Sequence, residues 1–303
     1  MAENYPSYLK LLESGELASR AEEAFNSLSS CKLCPHECGV NRLKGEIGYC
    51  KTDNQAVVAS YGAHFGEERP LVGKKGSGTV FFSSCNMRCV YCQNYDISQK
   101  VVGSPVTPEI LAFLFLELQQ QGCHNINLVT PSHVVPFILK GLLLAASEGL
   151  KIPIVYNSSG YDSLNTLKLL HNIVDIYMPD FKYFDKDIAK KLSKVENYPE
   201  VAKTAIKEMH GQIGDLVIDD NGVAKRGLLL RHLVLPGDLA STKEVMHFIA
   251  NSISKNTYVN LMDQYRPCGQ AHKYPPLDRP ITPEEYAKAL QAAKEAGLTR
   301  FDS

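Results

Sequence analysis

The sequence predicts an α/β fold: a partial (β/α)6 TIM-like barrel, or alternatively a doubly wound sheet, preceded by a small Cys-rich N-terminal extension. Three observations predict it. From residue 79 onward short apolar runs alternate with amphipathic ones, which is the pattern of parallel strands joined by crossover helices. Two of the amphipathic runs open with Thr-Pro-Glu, an N-cap residue followed by proline at the first helical position and an acid in the first turn. Seven of the nine cysteines fall into two clusters, one before the alternating region and one at its first strand end.

The elements follow in order. Thr79–Phe82 (TVFF) is a short apolar strand, and a helix runs from Thr107 to a glycine stop at Gly122. Asn125–Val129 is a strand and His133–Glu148 a helix; Ile152–Tyr156 is a strand, Ser163–His171 a helix and Val174–Met178 a strand. A longer helical stretch covers Lys186–His210. Leu228–Leu235 is a strand, Thr242–Ser254 a helix, Thr257–Met262 the sixth strand and Thr282–Ala296 the last helix. The Gly-rich KKGSG at Lys74–Gly78 marks the expected boundary between an extension, 1–75, and the barrel, 76–303. In either architecture the active groups belong at the carboxyl ends of the strands.

Charge and composition exclude several functions. With 32 Lys+Arg against 33 Asp+Glu the formal net charge is −1, so no basic excess invites a nucleic acid. A hydrophobic fraction of 44 % beside 21 % charged residues is globular, not disordered. The longest apolar runs, Ile110–Leu118 and Phe137–Ala146, are interrupted by Glu117 and Lys140 and fall short of the roughly 20 residues a membrane span needs. The first residues lack a basic start followed by an apolar run, so no signal peptide is expected and the expected location is cytoplasmic. In a reducing compartment clustered cysteines point to metal or redox chemistry rather than to disulfides.

The second cluster, SSCNMRCVYCQNYD, spaces Cys85, Cys89 and Cys92 as C-x3-C-x2-C on the loop after the first strand. Three thiolates in one short loop can wrap a soft metal centre. A closed structural site takes four ligands, whereas a 4Fe–4S cluster held by three leaves one iron open to a small molecule. The spacing alone also admits a zinc knuckle that borrows Asn94 or a remote His, or three free thiols. The first cluster, CKLCPHECGVNRLKGEIGYC, spaces Cys31, Cys34, Cys38 and Cys50 as C-x2-C-x3-C-x11-C, with Gly39, Gly45 and Gly48 allowing tight turns. Four soft ligands suffice for a closed metal site, either zinc or a second 4Fe–4S cluster.

The string around Cys85 resembles the signature of radical S-adenosylmethionine (SAM) enzymes, C-x3-C-x-aromatic-C, with Tyr91 in the aromatic slot. Its CVYCQN form is most similar to the activating-enzyme branch, which makes glycyl radicals on partners such as pyruvate formate-lyase. Relatives of that activase also carry a Cys-rich N-terminal segment. The resemblance implies that Cys85, Cys89 and Cys92 hold a 4Fe–4S cluster whose open iron chelates SAM. It implies reductive cleavage of SAM to a 5′-deoxyadenosyl radical, with Tyr91 packed near the cluster and the adenine. It also implies a protein substrate, such as a glycyl radical enzyme, and a reduced flavodoxin- or ferredoxin-type electron donor.

The resemblance extends along the strand ends. Where the family carries Gly-Gly-Glu, this chain has Thr130-Pro131-Ser132-His133, so a backbone carbonyl at Thr130 is the expected acceptor for the SAM amino group. His133 reads as the first residue of the next helix. Asn157 and Ser158 sit where the SAM carboxylate or ribose is expected. DIYMPDFKYFD is similar to the D-x-K element, here Asp180 and Lys182, whose alternate residues share a strand face. By the same resemblance Asn157, Ser158, Met178 and Asp180 are expected at a monovalent cation, and Lys182 at SAM. Arg231, in LLLRHLVLPG, matches the family's R-x-x-x-x-P-G and is expected at SAM; an arginine in an apolar strand also needs a partner on physical grounds. Gln264, Tyr265 and Arg266 lie in a Pro-rich loop expected over the barrel mouth, with Cys268 beside them. Two further readings stand beside this one: a radical SAM enzyme acting on a small metabolite, and a non-enzymatic zinc-binding module.

Overall fold

The computed structural model describes residues 5–302. Among the described residues ten strands make one sheet: β1 (Ala56–His64), β2 (Ser77–Phe82), β3 (Ser104–Val106), β4 (Ile126–Val129), β5 (Ile154–Ser158), β6 (Ile176–Pro179), β7 (Val217–Ile218), β8 (Ala224–Leu233), β9 (Tyr258–Met262) and β10 (Arg300–Phe301). The order along the sheet is β10-β9-β8-β6-β5-β4-β2-β1-β3, with β7 paired to β8. The six strands β2, β4, β5, β6, β8 and β9 are parallel neighbours in that order, and β10 extends them in parallel. These six are the strands the alternation predicts, and the open, mostly parallel sheet is that of a partial barrel.

Each crossover returns through a helix, the expected route for parallel neighbours. The helix Pro108–Gln120 is capped by Thr107, whose hydroxyl accepts from the Ile110 N–H, and Pro283–Glu295 opens with a Thr282/Glu285 capping box. The predicted helix Lys186–His210 is two helices, Lys186–Ser193 and Tyr198–Ile213. Lys194 ends the first in the left-handed region at φ 63°, and Pro199 starts the second.

Residues 56–64 run antiparallel to β2 and also pair with β3. The chain then crosses the barrel, and Leu71 enters an interior cluster with Val155, Ile176, Met178 and Leu229. Ahead of β1, the helix Glu16–Asn26 buries Leu17, Ala21 and Ala24, while Tyr8 donates through its hydroxyl to the Ile152 carbonyl.

Two buried histidines bear on stability. His133 donates from Nε2 to the Ser83 carbonyl at 2.8 Å. His232 sits between the Phe181 carbonyl at 2.6 Å and the Thr242 hydroxyl at 3.0 Å. Burial lowers both, to about 4 from the usual 6.5. Above pH 6.5 both states are neutral. As pH falls from 6.5 towards 4 the unfolded chain takes up protons that the folded chain refuses, so stability falls by about 3 kcal/mol per histidine. Urea unfolding followed across that range should show the decline, and His232→Gln should flatten part of it.

Candidate active site

The loop after β2 begins at Ser84, held at φ 71°, and is pinned from both sides. Its Arg88 and Val90 amides donate to the Ser193 and Leu192 carbonyls at the end of the helix Lys186–Ser193. The Val90 carbonyl accepts from the Gln270 amide of the late loop at 2.6 Å. Gly269 is required there, because a Cβ would meet the Tyr95 ring at 2.6 Å and the Val90 carbonyl at 2.9 Å.

This loop presents Cys85, Cys89 and Cys92 to a cavity of about 540 Å³. Tyr91, Thr130, Asn157, Ser158, Asp180, Lys182 and Arg231 line the same cavity. Residues from five strand ends therefore meet in one chamber, and sequence reasoning had named each of them from its own strand.

Each sulfur has a hydrogen-bonding neighbour. The Met87 amide donates to Cys85 Sγ at 3.4 Å, Ser193 Oγ lies 2.9 Å from Cys89 Sγ, and the Ser98 hydroxyl donates to Cys92 Sγ at 3.2 Å. Burial pushes the Cys85 thiol up to about 12, and the neighbouring Cys89 and Cys92 add to this. Burial also raises Cys89, against the pull of nearby Lys182. A cationic centre bound there would offset that cost and convert all three to thiolates. Three thiolates on one loop are the donor set that a 4Fe–4S cluster with one open iron would take. Among the described residues no three His, Cys, Asp or Glu side chains converge on a point where a single metal ion would sit.

Tyr91 is buried and its Oη accepts from Tyr183 Oη at 2.5 Å; Tyr183 also meets Ser193 Oγ at 2.8 Å. Tyr91 is thus tied to Cys89 through Tyr183 and Ser193. Tyr265 packs edge-on against Tyr91 and spends its hydroxyl on the Leu277 carbonyl. It braces the aromatic residue from outside the cavity instead of lining it, whereas Gln264 does line it.

Opposite the sulfurs lies an ion network. Asp180 pairs with Arg231 in an isolated bridge across the ends of β6 and β8. Its two oxygens accept from Arg231 Nε at 2.9 Å and Lys182 Nζ at 2.6 Å. Arg231 Nη2 donates to Asn157 Oδ1 at 2.7 Å, and Nη1 stands 3.7 Å from Glu68 Oε1. Burial alone would raise the Asp180 carboxyl, but Arg231 and Lys182 outweigh it and hold the carboxyl below its usual range. Burial also works against the Lys182 ammonium, and Asp180 reverses that, leaving Lys182 firmly protonated.

Backbone geometry supports the network. Thr130 leaves β4 at φ 62° and donates its N–H to the Asn157 carbonyl at 2.9 Å. Gly160, at φ 74°, lies where a Cβ would stand 2.4 Å from the Asp180 carbonyl. The Ser158 hydroxyl donates to Asp162 at 2.6 Å and accepts from the Gly160 amide, so its polar capacity is largely committed. His133 lies off the cavity and holds Ser83 in place.

Sequence reasoning missed four contributors. Ser98 and Ser193 reach the sulfurs from outside the motif. Glu67 and Glu68, from the segment that crosses the barrel, line the cavity, and the buried Glu68 Oε2 has no partner. A serine two turns or a hundred residues away carries no local signal of a sulfur contact. The EE pair at 67–68 reads, by composition alone, as a solvated loop.

The family model of the radical SAM superfamily matches residues 79–223. Uncharacterized protein MJ0674 of Methanocaldococcus jannaschii is 35 % identical over 298 residues, covering 96 % of this chain and 82 % of that protein. Uncharacterized protein MJ0808 of the same organism is 23 % identical over 288 residues, covering 88 % and 78 %. Among solved structures, a domain of pyruvate-formate lyase-activating enzyme from Bacteroides vulgatus aligns with a TM-score of 0.37 at 15 % identity, over 64 % of this chain and 89 % of that one. Streptococcus suis SuiB, solved with its precursor peptide SuiA, aligns with a TM-score of 0.47 at 12 % identity, over 72 % and 46 %.

Proposed function

The chain belongs to the radical SAM superfamily, and from that premise we propose that it cleaves SAM reductively to a 5′-deoxyadenosyl radical and uses that radical to abstract hydrogen from a protein substrate. Membership implies a 4Fe–4S cluster and SAM. When bound, the cluster supplies the electron for SAM cleavage. The observation that carries the reading is the single cavity lined by the three thiols and by the strand-end residues of β4, β5, β6 and β8.

The chain's own residues would work as follows. Cys85, Cys89 and Cys92 ligate the cluster, and the donors at Met87, Ser193 and Ser98 stabilise charge on their sulfurs. Thr130 receives the SAM amino group through its backbone carbonyl. Lys182 and Arg231 face the cavity as fixed cations beside Asp180 and Asn157, suited to the SAM carboxylate. In this reading these two side chains, already seated on Asn157 and Asp180, supply the positive charge that a monovalent cation supplies in the family. Exchanging sodium for potassium should therefore leave SAM affinity within twofold. A sharp potassium dependence would show instead that an ion displaces one of the side chains.

The protein substrate, a glycyl radical enzyme for example, is favoured by the CVYCQN form and the Asp180-x-Lys182 element, both similar to the activating branch. The chemistry needs a low-potential one-electron donor, and a reduced flavodoxin or ferredoxin is the one this reading assigns. Under anaerobic reduction with SAM, a matching partner should gain a glycyl radical signal by electron paramagnetic resonance. Abstraction from a free metabolite with no protein radical would move the assignment to small-molecule chemistry.

Ser193→Ala removes the hydroxyl beside Cys89 Sγ and breaks the link to Tyr183. Loss of a sulfur hydrogen bond should shift the cluster potential to more negative values and slow its reduction. Potentiometric titration of the reconstituted variant against the parent would show it. An unchanged potential would mean that the hydroxyl does not reach the cluster.

A further inference from the structure

The segment that carries the N-terminal cysteines is packed onto the catalytic loop through His36 and Tyr49. Cys31 and Val40 close a tight hairpin, with the Cys31 amide donating to the Val40 carbonyl and the Gly39 amide to the Cys31 carbonyl, both at 3.0 Å. Cys38 Sγ rests on Gly48, where a Cβ would stand only 2.6 Å from the sulfur. That places Cys38 against the strand of chain that leads to Cys50. A turn closed by the Glu37 amide on the Cys34 carbonyl at 3.0 Å carries the chain from Cys34 back to Cys38.

Arg42 supplies the second observation. Its side chain is 1 % exposed. Nε donates to the Asp53 carbonyl at 2.7 Å and Nη1 to the His133 carbonyl at 2.8 Å, while Nη1 also lies 3.9 Å from Cys31 Sγ. Nη2 has no partner. These acceptors are neutral carbonyls and a sulfur; none is a carboxylate. A guanidinium buried this deeply needs a counter-charge, and Cys31 Sγ, 3.9 Å from Nη1, supplies one once it is a thiolate.

A third observation joins the two cysteine groups. Tyr49, next to Cys50, stacks on His36 with ring centroids 3.7 Å apart and lies 4.7 Å beneath the Arg88 guanidinium carbon. Arg88 donates to the Tyr49 carbonyl and, at 2.9 Å, to the Cys85 carbonyl. His36 Nε2 donates to the Asn86 carbonyl at 2.8 Å. The segment between Cys34 and Cys50 therefore grips residues 85–88 at three points.

We propose that Cys31, Cys34, Cys38 and Cys50 bind a thiophilic metal centre, a zinc ion or an iron–sulfur cluster, and that its occupancy holds the Cys85–Cys92 loop in position. Binding releases the thiol protons and leaves a tetrathiolate whose negative charge Arg42 balances. Loading fixes Cys50, and with it Tyr49, in the arrangement that clamps Arg88.

The test uses full-length protein purified anaerobically. Metal and acid-labile sulfide are counted for the parent, for a Cys85→Ala/Cys89→Ala/Cys92→Ala variant, for Cys34→Ser and for Gly48→Ala. The triple variant should keep one centre: one zinc without sulfide identifies a zinc site, and iron with equal sulfide identifies a cluster. Because that variant lacks the catalytic cysteines, the result stands whether or not the chain cleaves SAM. Cys34→Ser and Gly48→Ala should each lose at least half of this centre, Gly48→Ala with no ligand removed. Arg42→Met should release the metal to a chelator at least tenfold faster, and Arg42→Lys should recover part of the retention. Amide hydrogen exchange at Arg88 and Val90 should quicken about tenfold in Cys34→Ser. A triple variant holding neither zinc nor iron overturns the metal centre. A centre lost from Cys34→Ser with exchange at 88–90 unchanged overturns the coupling.

Discussion

Asp180→Ala should lower stability by about 3–5 kcal/mol, the usual cost of removing one member of a buried ion pair, and should abolish SAM binding. The carboxylate accepts from Arg231 and Lys182 at once, and the side chains of all three are less than one fifth exposed. Removing it leaves two cations facing each other in the cavity wall with no anion between them. Asp180→Asn keeps the shape but not the charge and should fall between parent and alanine variant. Urea denaturation gives the stability, and equilibrium dialysis of the anaerobic protein gives SAM affinity. A loss under 1 kcal/mol would mean that solvent already screens the network.

Gly160→Ala should reduce SAM cleavage about 100-fold, the scale expected when a reacting group is displaced by about an ångström. The residue holds φ 74°, and an added Cβ would stand 2.4 Å from the Asp180 carbonyl. The obstacle is backbone, so the end of β6 must shift, and Asp180 carries Arg231 and Lys182 with it. Gly222→Ala is the control: it has φ 79° but nothing within 4 Å, so it adds only left-handed strain of about 1 kcal/mol. If both variants cleave SAM at the parental rate, Gly160 does not set the position of Asp180.

Much of the fold was legible because parallel strands buried on both faces read as short apolar runs, as in TVFF, INLV and LLLRHL. β1 was not, since AVVASYGAH mixes small, polar and aromatic residues and takes its strand character from pairing with β2. The break at Lys194 was hidden because a lysine in the left-handed region looks like any helical lysine, although Pro199 five residues later was a usable sign. In the site, Arg231 was readable on physical grounds alone: a charge inside an apolar strand had to be paired, and it is paired with Asp180 and Asn157. The serines that touch the sulfurs were not readable, because their meaning lies in tertiary proximity. Ser193 meets Cys89 across 104 residues of chain.

In the proposed function three thiols on the loop after β2 arm the cavity for reductive SAM cleavage. The most direct test is anaerobic reconstitution with iron and sulfide, followed by dithionite, SAM and quantitation of 5′-deoxyadenosine, with Cys85→Ala treated in parallel. 5′-Deoxyadenosine is expected from the parent and none above background from Cys85→Ala. A parent protein that takes up iron and sulfide at this site yet leaves SAM intact would contradict it.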